Sequence, residues 1–239
     1  MGKLLLLLLS GAKLGKLLTT GGSMLVSVVV YAWIYGWRYA VGFVGLLFVH
    51  EMGHYLAAKQ RGLDVGAPTF IPFVGAWIEL KDMPHDAETE AWVGLGGPLL
   101  GSIGALLCYF WARETDSRLL LAVAYSGFFL NLFNLIPLSP LDGGRITAVL
   151  SPRIWLLGVP VLAAVFFWRA SPMLILLGVL AAPQVMKALK YRSDSEEAQT
   201  YYAVSAAVRT EYAFYYLSLV LFLAVMAHDV HDMLGATSR

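Results

Sequence analysis

Charged residues are scarce in this 239-residue chain: Asp, Glu, Lys and Arg make up 14% of it, against about 25% in ordinary globular domains. Hydrophobic residues make up 59% and come in blocks too long for a small water-soluble core. This excludes a soluble enzyme, a disordered chain and a secreted disulfide-built module. The single cysteine, Cys108, cannot form an internal disulfide, and a net charge of +1 argues against nucleic acid as a partner. We expect a multi-pass integral membrane protein in contact with the lipid bilayer.

Apolar segments bounded by charged or turn residues are the candidate transmembrane helices. They are 20–36, 39–60, 94–112, 118–138, 154–168, 172–189 and 212–227. With the N-terminus in the cytoplasm, this threading places most Lys and Arg residues on the cytoplasmic side, as the positive-inside rule requires. The sequence therefore predicts an all-α polytopic membrane protein with about six to seven transmembrane helices and a cytoplasmic N-terminus.

The chain reads as one domain, since no internal repeat or low-complexity linker divides it. Its core is expected at about 39–150, with accessory helices over 154–239. The leucine-rich segment 1–20, interrupted by Gly11 and Gly15, is favoured as an amphipathic interfacial helix. A signal peptide is the alternative, but no small-residue cleavage site is followed by a soluble domain.

Two stretches are neither simple spans nor simple loops. Residues 67–80 are apolar but broken by Pro68 and Pro72, and 76–80 have strand-like character. Residues 134–145 contain two prolines and two glycines that must end or unwind the fourth span. Irregular backbone at membrane depth is tolerated only where it is buried in protein or lines a wet cavity. We therefore expect a polar opening near this second break.

The second span contains the sequence HEMGH at 50–54. His50 and His54 are four residues apart, so they lie on one helical face and can both reach one Zn²⁺ ion. Glu51 can take a proton from a water molecule at the metal as a general base. Ionisable groups inside an apolar span are costly and are functional by default. A polar helix–helix contact is the alternative, but it leaves Glu51 unexplained.

A third protein ligand is needed, because catalytic zinc sites usually have three. Asp142 is the only acidic residue between Asp116 and Asp194, and the threading puts it level with the end of the second span. Its other interpretation is a helix-cap or turn aspartate at a Pro/Gly break. The alternative third ligands are glutamates in or beside a charged loop: Glu196, Glu197 and Glu211.

These motifs resemble those of the site-2 protease family, which are intramembrane zinc metalloproteases. The resemblance covers roughly residues 40–150 and rests on HEMGH, on Gly96-Gly97-Pro98 and on NLIPLSPLDG at 134–143. It implies one Zn²⁺ per chain bound by His50, His54 and Asp142, with Glu51 as the catalytic base. It also implies that Asn134 binds the substrate backbone or stabilises the oxyanion.

The same resemblance predicts how substrate is held. The segment after the HExxH helix would form a re-entrant loop or short β-hairpin, with Gly75, Ala76, Trp77 and Ile78 binding substrate. The implied activity is hydrolysis of peptide bonds in transmembrane protein substrates near the cytoplasmic side. No PDZ insertion or cystathionine-synthase-like tail is recognisable. A catalytically silent zinc-binding membrane scaffold is the alternative function.

Other features have plainer interpretations. Segment 187–209 is favoured as a cytoplasmic loop over a lid on the site, and 228–232, rich in His and Asp, as a solvated tail. Gly97 and Gly101 are expected to allow close packing inside the protein, although a homodimer stays open. A cytoplasm-facing site without targeting signals suggests a prokaryotic cell membrane.

Overall fold

The computed structural model describes the backbone of residues 2–73, 75–77 and 84–236, and the side chains of 18–73 and 84–236. These residues form nine α-helices, a 3-10 turn at Pro152–Ile154 and one two-stranded sheet. The helices are α1 (Gly2–Tyr35), α2 (Trp37–Gln60), α3 (Ala87–Thr115), α4 (Arg118–Asn134), α5 (Asp142–Ala148), α6 (Trp155–Trp168), α7 (Pro172–Lys190), α8 (Glu196–Thr200) and α9 (Ala206–Ala236); the strands are β1 (Thr69–Ile71) and β2 (Gly75–Trp77).

The all-α polytopic prediction is confirmed. Helices α1, α2, α3, α7 and α9 are long and apolar enough to cross a membrane, and shorter apolar helices at Arg118–Asn134 and Pro152–Trp168 account for the other two predicted spans. Helix α1 runs without interruption through Gly11 and Gly15. Whether residues 1–20 lie in the membrane interface stays a prediction.

Three predicted boundaries were wrong, each for a local reason. Helix α3 begins at Ala87 rather than 94, because the Asp86 side chain caps it by accepting from the Thr89 amide at 2.7 Å. Helix α4 ends at Asn134 rather than 138, ahead of the proline-rich break. The expected tail at 228–232 is the last part of α9, although its His228–Asp232 pair is exposed.

Helices α2, α3 and α4 pack together at the centre of the molecule, with α1 against α2 and α9 against α4. Glycine permits the closest of these contacts. A Cβ placed on Gly53 of α2 would lie 2.1 Å from the Gly96 carbonyl oxygen of α3, and one on Gly96 would lie 2.5 Å from the Gly53 oxygen. The two backbones therefore touch directly, which fixes the depth of α2 against α3.

The predicted β-hairpin is present and is attached to α1. Strands β1 and β2 pair antiparallel with Phe70 opposite Ala76. Hydroxyl groups on one side of α1 bind the β1 segment: Thr20 donates to the Pro68 carbonyl at 2.7 Å, Ser23 accepts from the Phe70 amide at 3.1 Å, and Tyr31 accepts from the Phe73 amide at 3.0 Å.

Segment 187–209 packs against the start of α3, and its assignment as a loop rather than a lid stays a prediction. Tyr202 is buried, the Ala87 amide donates to the Tyr201 carbonyl at 2.9 Å, and the Tyr201 hydroxyl donates to Glu90 at 2.6 Å. Burial and the neighbouring Glu90 carboxylate raise the pKa of the Tyr201 phenol, which keeps it protonated as a donor.

Candidate metal centre

The three predicted zinc ligands meet at one buried point. His50 and His54 lie one turn apart on α2, and Asp142 is the first residue of α5. The Nε2 atoms of His50 and His54 are 3.1 Å apart, and each lies 3.2 Å from a different oxygen of Asp142. All three residues are buried, with exposed fractions of 2%, 6% and 8%.

These distances are short enough for the three side chains to share one zinc ion, although the two Nε2 atoms face different oxygens of Asp142. Zn–N and Zn–O bonds of about 2.0–2.2 Å place neighbouring tetrahedral ligand atoms about 3.3–3.6 Å apart, close to the observed spacing. Two imidazole nitrogens and a carboxylate are also a normal donor set for zinc. Among the described residues, His50, His54 and Asp142 form the one group of three such side chains close enough to share an ion.

Both imidazole rings are held through their outer nitrogens. The Nδ1 of His54 lies 2.7 Å from the Val93 carbonyl oxygen, and the Nδ1 of His50 lies 2.8 Å from Oδ1 of Asn131. A carbonyl oxygen can only accept, so in each case Nδ1 carries the hydrogen and Nε2 presents its lone pair inward. Sequence reasoning missed Val93 and Asn131. Only Asn131 gave a usable signal, as a polar residue inside an apolar span.

Glycines on α3 make room for this arrangement. A Cβ on Gly97 would lie 2.3 Å from His54 Nε2 and 2.8 Å from His50 Nε2, and a Cβ on Gly101 would lie 2.4 Å from Asn131 Oδ1. The prediction that Gly97 and Gly101 serve close packing inside the protein is confirmed. Any larger residue at either position would displace a group of the metal centre.

The ligands open into a cavity of about 580 Å³ that also contains Glu51 and Asn134. Glu51 is buried, with 6% of its surface exposed, and Asn134 is the half-buried last residue of α4. The remaining walls are mainly apolar side chains of α1, α2, α4, α7 and the hairpin, including Tyr31, Phe43, Phe73, Phe133, Leu176 and Leu180. The arrangement can hold an apolar chain beside a carboxylate and a metal ion.

The predicted substrate-binding residues are placed only in part. Gly75, Ala76 and Trp77 form strand β2, and Ile78 lies outside the described residues. Ile71, at the end of β1, and Phe73, in the turn, line the 580 Å³ cavity. The hairpin therefore borders the cavity that contains the metal ligands.

A second cavity, of about 250 Å³, adjoins the first where Arg145 lines both. Its other lining residues are largely polar and include Glu90, Ser139, Lys187 and Tyr201. It lies at the break after α4, where the sequence predicts a polar opening.

Two of the three alternative third ligands, Glu197 and Glu211, are engaged elsewhere, and none of the three lies with the two histidines. Glu197 pairs with Lys187 at 2.6 Å, and Glu211 accepts from the Tyr215 hydroxyl at 2.6 Å. Glu196 lies in the first turn of α8 with Glu197. Asp142 is therefore the acidic side chain that the described structure brings to the two histidines.

The family match and the similar proteins agree with one another. Residues 38–115 match peptidase family M50, a range that includes the HEMGH motif and the whole of α3. Zinc metalloprotease MJ0392 of Methanocaldococcus jannaschii is 31% identical over 153 residues, which are 60% of this chain and 44% of that protein. Rip3 of Mycobacterium tuberculosis, also named as a zinc metalloprotease, is 31% identical over 137 residues, 54% of this chain and 33% of that protein.

A solved structure titled site-2 protease from Methanocaldococcus jannaschii aligns with a TM-score of 0.47 at 20% identity, covering 72% of this chain and 88% of that one. This chain spans less than half the length of the curated relatives described above. The family match and the zinc-metalloprotease names of the relatives confirm that the chain resembles the site-2 proteases, peptidase family M50.

Proposed function

We propose that this protein is an intramembrane zinc endopeptidase that hydrolyses peptide bonds of transmembrane substrates near the cytoplasmic side. The observation that carries the proposal is the convergence of His50, His54 and Asp142 at zinc-ligand spacing in the same buried cavity as Glu51. A buried carboxylate beside a metal-binding group is the arrangement that water-activating hydrolysis requires.

The proposed chemistry divides between the metal and the side chains. A Zn²⁺ ion held by the three ligands would polarise the scissile carbonyl and lower the pKa of a nearby water to about 7. Glu51 accepts the proton of the attacking water and delivers it to the leaving amine. Asn134, across the same cavity, donates a hydrogen bond to the scissile carbonyl or to its developing oxyanion.

Helix α2 supports the proposed cytoplasmic location. His50 is the fourteenth residue of a 24-residue helix, which puts it about 20 Å from the start of α2 and nearer the other end. That end carries Lys59 and Arg61, and basic residues favour the cytoplasmic side. The ligands would therefore sit toward the cytoplasmic half of the bilayer.

Substrate binding is proposed at the outer edge of β2. The Phe70 amide is bonded to Ser23, so it points away from β2, and residue pairs in an antiparallel ladder alternate between the two directions. Ala76, opposite Phe70, then directs its backbone groups to the edge of β2 that faces away from β1. An unwound substrate can add there as a strand, because a helical substrate must first release its carbonyls from i→i−4 bonds.

Water would reach the metal through the polar cavity at the break after α4. Ser139, Gly144 and Arg145 line that cavity, and Arg145 also lines the one that holds the ligands. The partners proposed for the protein are thus a bilayer and a transmembrane protein substrate, with water supplied from the cytoplasm.

The test is reconstitution of the full chain into liposomes with a model single-span substrate. We expect zinc-loaded protein to cut the substrate, chelation to stop cleavage and added zinc to restore it. Asp142→Ala should lose both zinc retention and cleavage. Full zinc retention by this variant would overturn the ligand assignment. Tight zinc binding without cleavage of any single-span substrate would favour the silent scaffold over the endopeptidase.

A further inference from the structure

Asn131 is a polar residue on the buried side of α4. Its exposed fraction is 1%, in a helix whose residues are otherwise largely apolar. A buried amide is costly unless its groups are hydrogen-bonded, and polar groups at membrane depth are rare outside functional sites. Its position therefore calls for a specific role.

The hydrogen bonds of Asn131 have a defined direction. Its Nδ2 donates to the Gly127 carbonyl oxygen at 2.7 Å. Because a carbonyl can only accept, the amide atom that faces Gly127 must be the nitrogen. Oδ1 then faces Nδ1 of His50 at 2.8 Å and must receive a hydrogen from it. The Nε2 atom of His50 is left with its lone pair toward His54 and Asp142.

The two zinc-binding histidines differ in what holds them. His54 is oriented by the main-chain carbonyl of Val93, whereas His50 is oriented by the side chain of Asn131. Helix α3 presses on that side chain: a Cβ on Gly101 would lie 2.4 Å from its Oδ1 and 2.8 Å from its Nδ2. The amide is thus confined between the Gly127 carbonyl, His50 and Gly101.

We infer that Asn131 is a positioning residue that fixes the ring of His50, with its Nε2 lone pair directed at the metal position. The inference rests on the proposed zinc site. It gives Asn131 a different task from Asn134, which lines the cavity where substrate would lie. Groups that orient metal ligands in this way typically change metal affinity by about 10–100-fold when they are removed.

The test measures zinc affinity of the purified full chain by competition with a chromogenic chelator. Asn131→Leu removes the acceptor at His50 and should weaken zinc binding by about 10–100-fold. Asn131→Asp keeps an acceptor facing His50 Nδ1 and should bind zinc within about threefold of wild type or tighter. The matched control, Asn134→Leu, should leave zinc affinity within the same range while lowering the rate of substrate cleavage.

Two results would overturn the inference: Asn131→Leu binding zinc as tightly as wild type, or Asn131→Asp losing as much affinity as the leucine variant. The melting temperature of the metal-free proteins shows whether each variant folds. If the leucine variant does not, Asn131→Ala serves in the same assay with the same expected loss. Wild-type protein that binds no zinc would refute the proposed metal site itself. Wild type that binds zinc and cleaves, beside an unaffected leucine variant, would refute only the role of Asn131.

Discussion

The inner wall of the metal site and the outer wall of its cavity are built in opposite ways. At the inner wall, where α2 meets α3, a methyl group on Gly53 or Gly97 would overlap a backbone or a ligand ring. On the outer helices α1 and α7, Gly21 and Gly178 are exposed, and a methyl group on either would meet none of the described residues within 4 Å. The contact of α2 with α3 at the metal site therefore leaves no room for an added methyl group, whereas these exposed positions of α1 and α7 do.

Hydrogen bonding shows the same contrast. The outer nitrogens of His50 and His54 each have a buried partner. On α1, Ser23 binds the hairpin, whereas the Oγ of Ser27, one turn further along, is buried and has no hydrogen-bond partner among the residues that the structure describes. Strict pairing at the metal site suits fixed ligand geometry.

The largest effect that tests this contrast is expected from Gly97→Ala. Alanine normally stabilises a helix relative to glycine, so any loss must come from the overlap with His54 and His50. Overpacking of about 1–3 kcal/mol should weaken zinc binding by about 10–100-fold and reduce cleavage at least as much. Zinc affinity and cleavage rate are the measurements.

The matched control is Gly178→Ala on α7, where a methyl group meets no neighbour. It should change zinc affinity and cleavage by less than about twofold. Equal losses from the two variants would show that the inner wall is no tighter than the outer one.

A smaller effect, confined to substrate, is expected from Ala76→Pro. Proline removes the backbone N–H that β2 would offer to an added strand. One lost hydrogen bond of about 1 kcal/mol should lower kcat/KM by about fivefold to tenfold, with zinc content unchanged. Ala76→Ser keeps the N–H and should cleave normally. Normal cleavage by the proline variant would remove this edge from the account.

The smallest effect is expected from Ser23→Ala, which removes the α1 hydroxyl that accepts from the Phe70 amide. Loss of one such bond, about 0.5–1.5 kcal/mol, should speed hydrogen exchange of that amide by about twofold to tenfold and raise KM slightly. Ser27→Ala removes a hydroxyl without a partner and should change neither quantity. A result in which both serine variants act alike would contradict the attachment of the hairpin through Ser23.

Local patterns in the sequence predicted two of the ligands, because the spacing of His50 and His54 places them on one helical face. Asp142 was one of several acidic candidates, and the resemblance to the site-2 proteases selected it. Pro68 and Pro72 ruled out a span over 67–80, and the resemblance to the site-2 proteases predicted a re-entrant loop or short β-hairpin there. The partners of the histidines were missed. Val93 acts through its main chain, which leaves no sequence signal. Asn131 is recognisable as a polar residue inside an apolar span, but its contact with His50 depends on the depth at which α4 packs on α2. The full length of α9 was also missed. The charged residues near His228 resemble a solvated tail in the sequence, but backbone hydrogen bonds keep them in the helix.

The most direct test of the account is Glu51→Gln, which replaces the proposed base by a neutral side chain of the same size. Zinc content and cleavage of a single-span substrate are measured on the same liposome preparation. The account predicts one zinc per chain in both proteins. Since general-base catalysis contributes about 10²–10⁴-fold, it also predicts that the variant cleaves substrate at least about 10²-fold more slowly. Equal cleavage by the two proteins would contradict it.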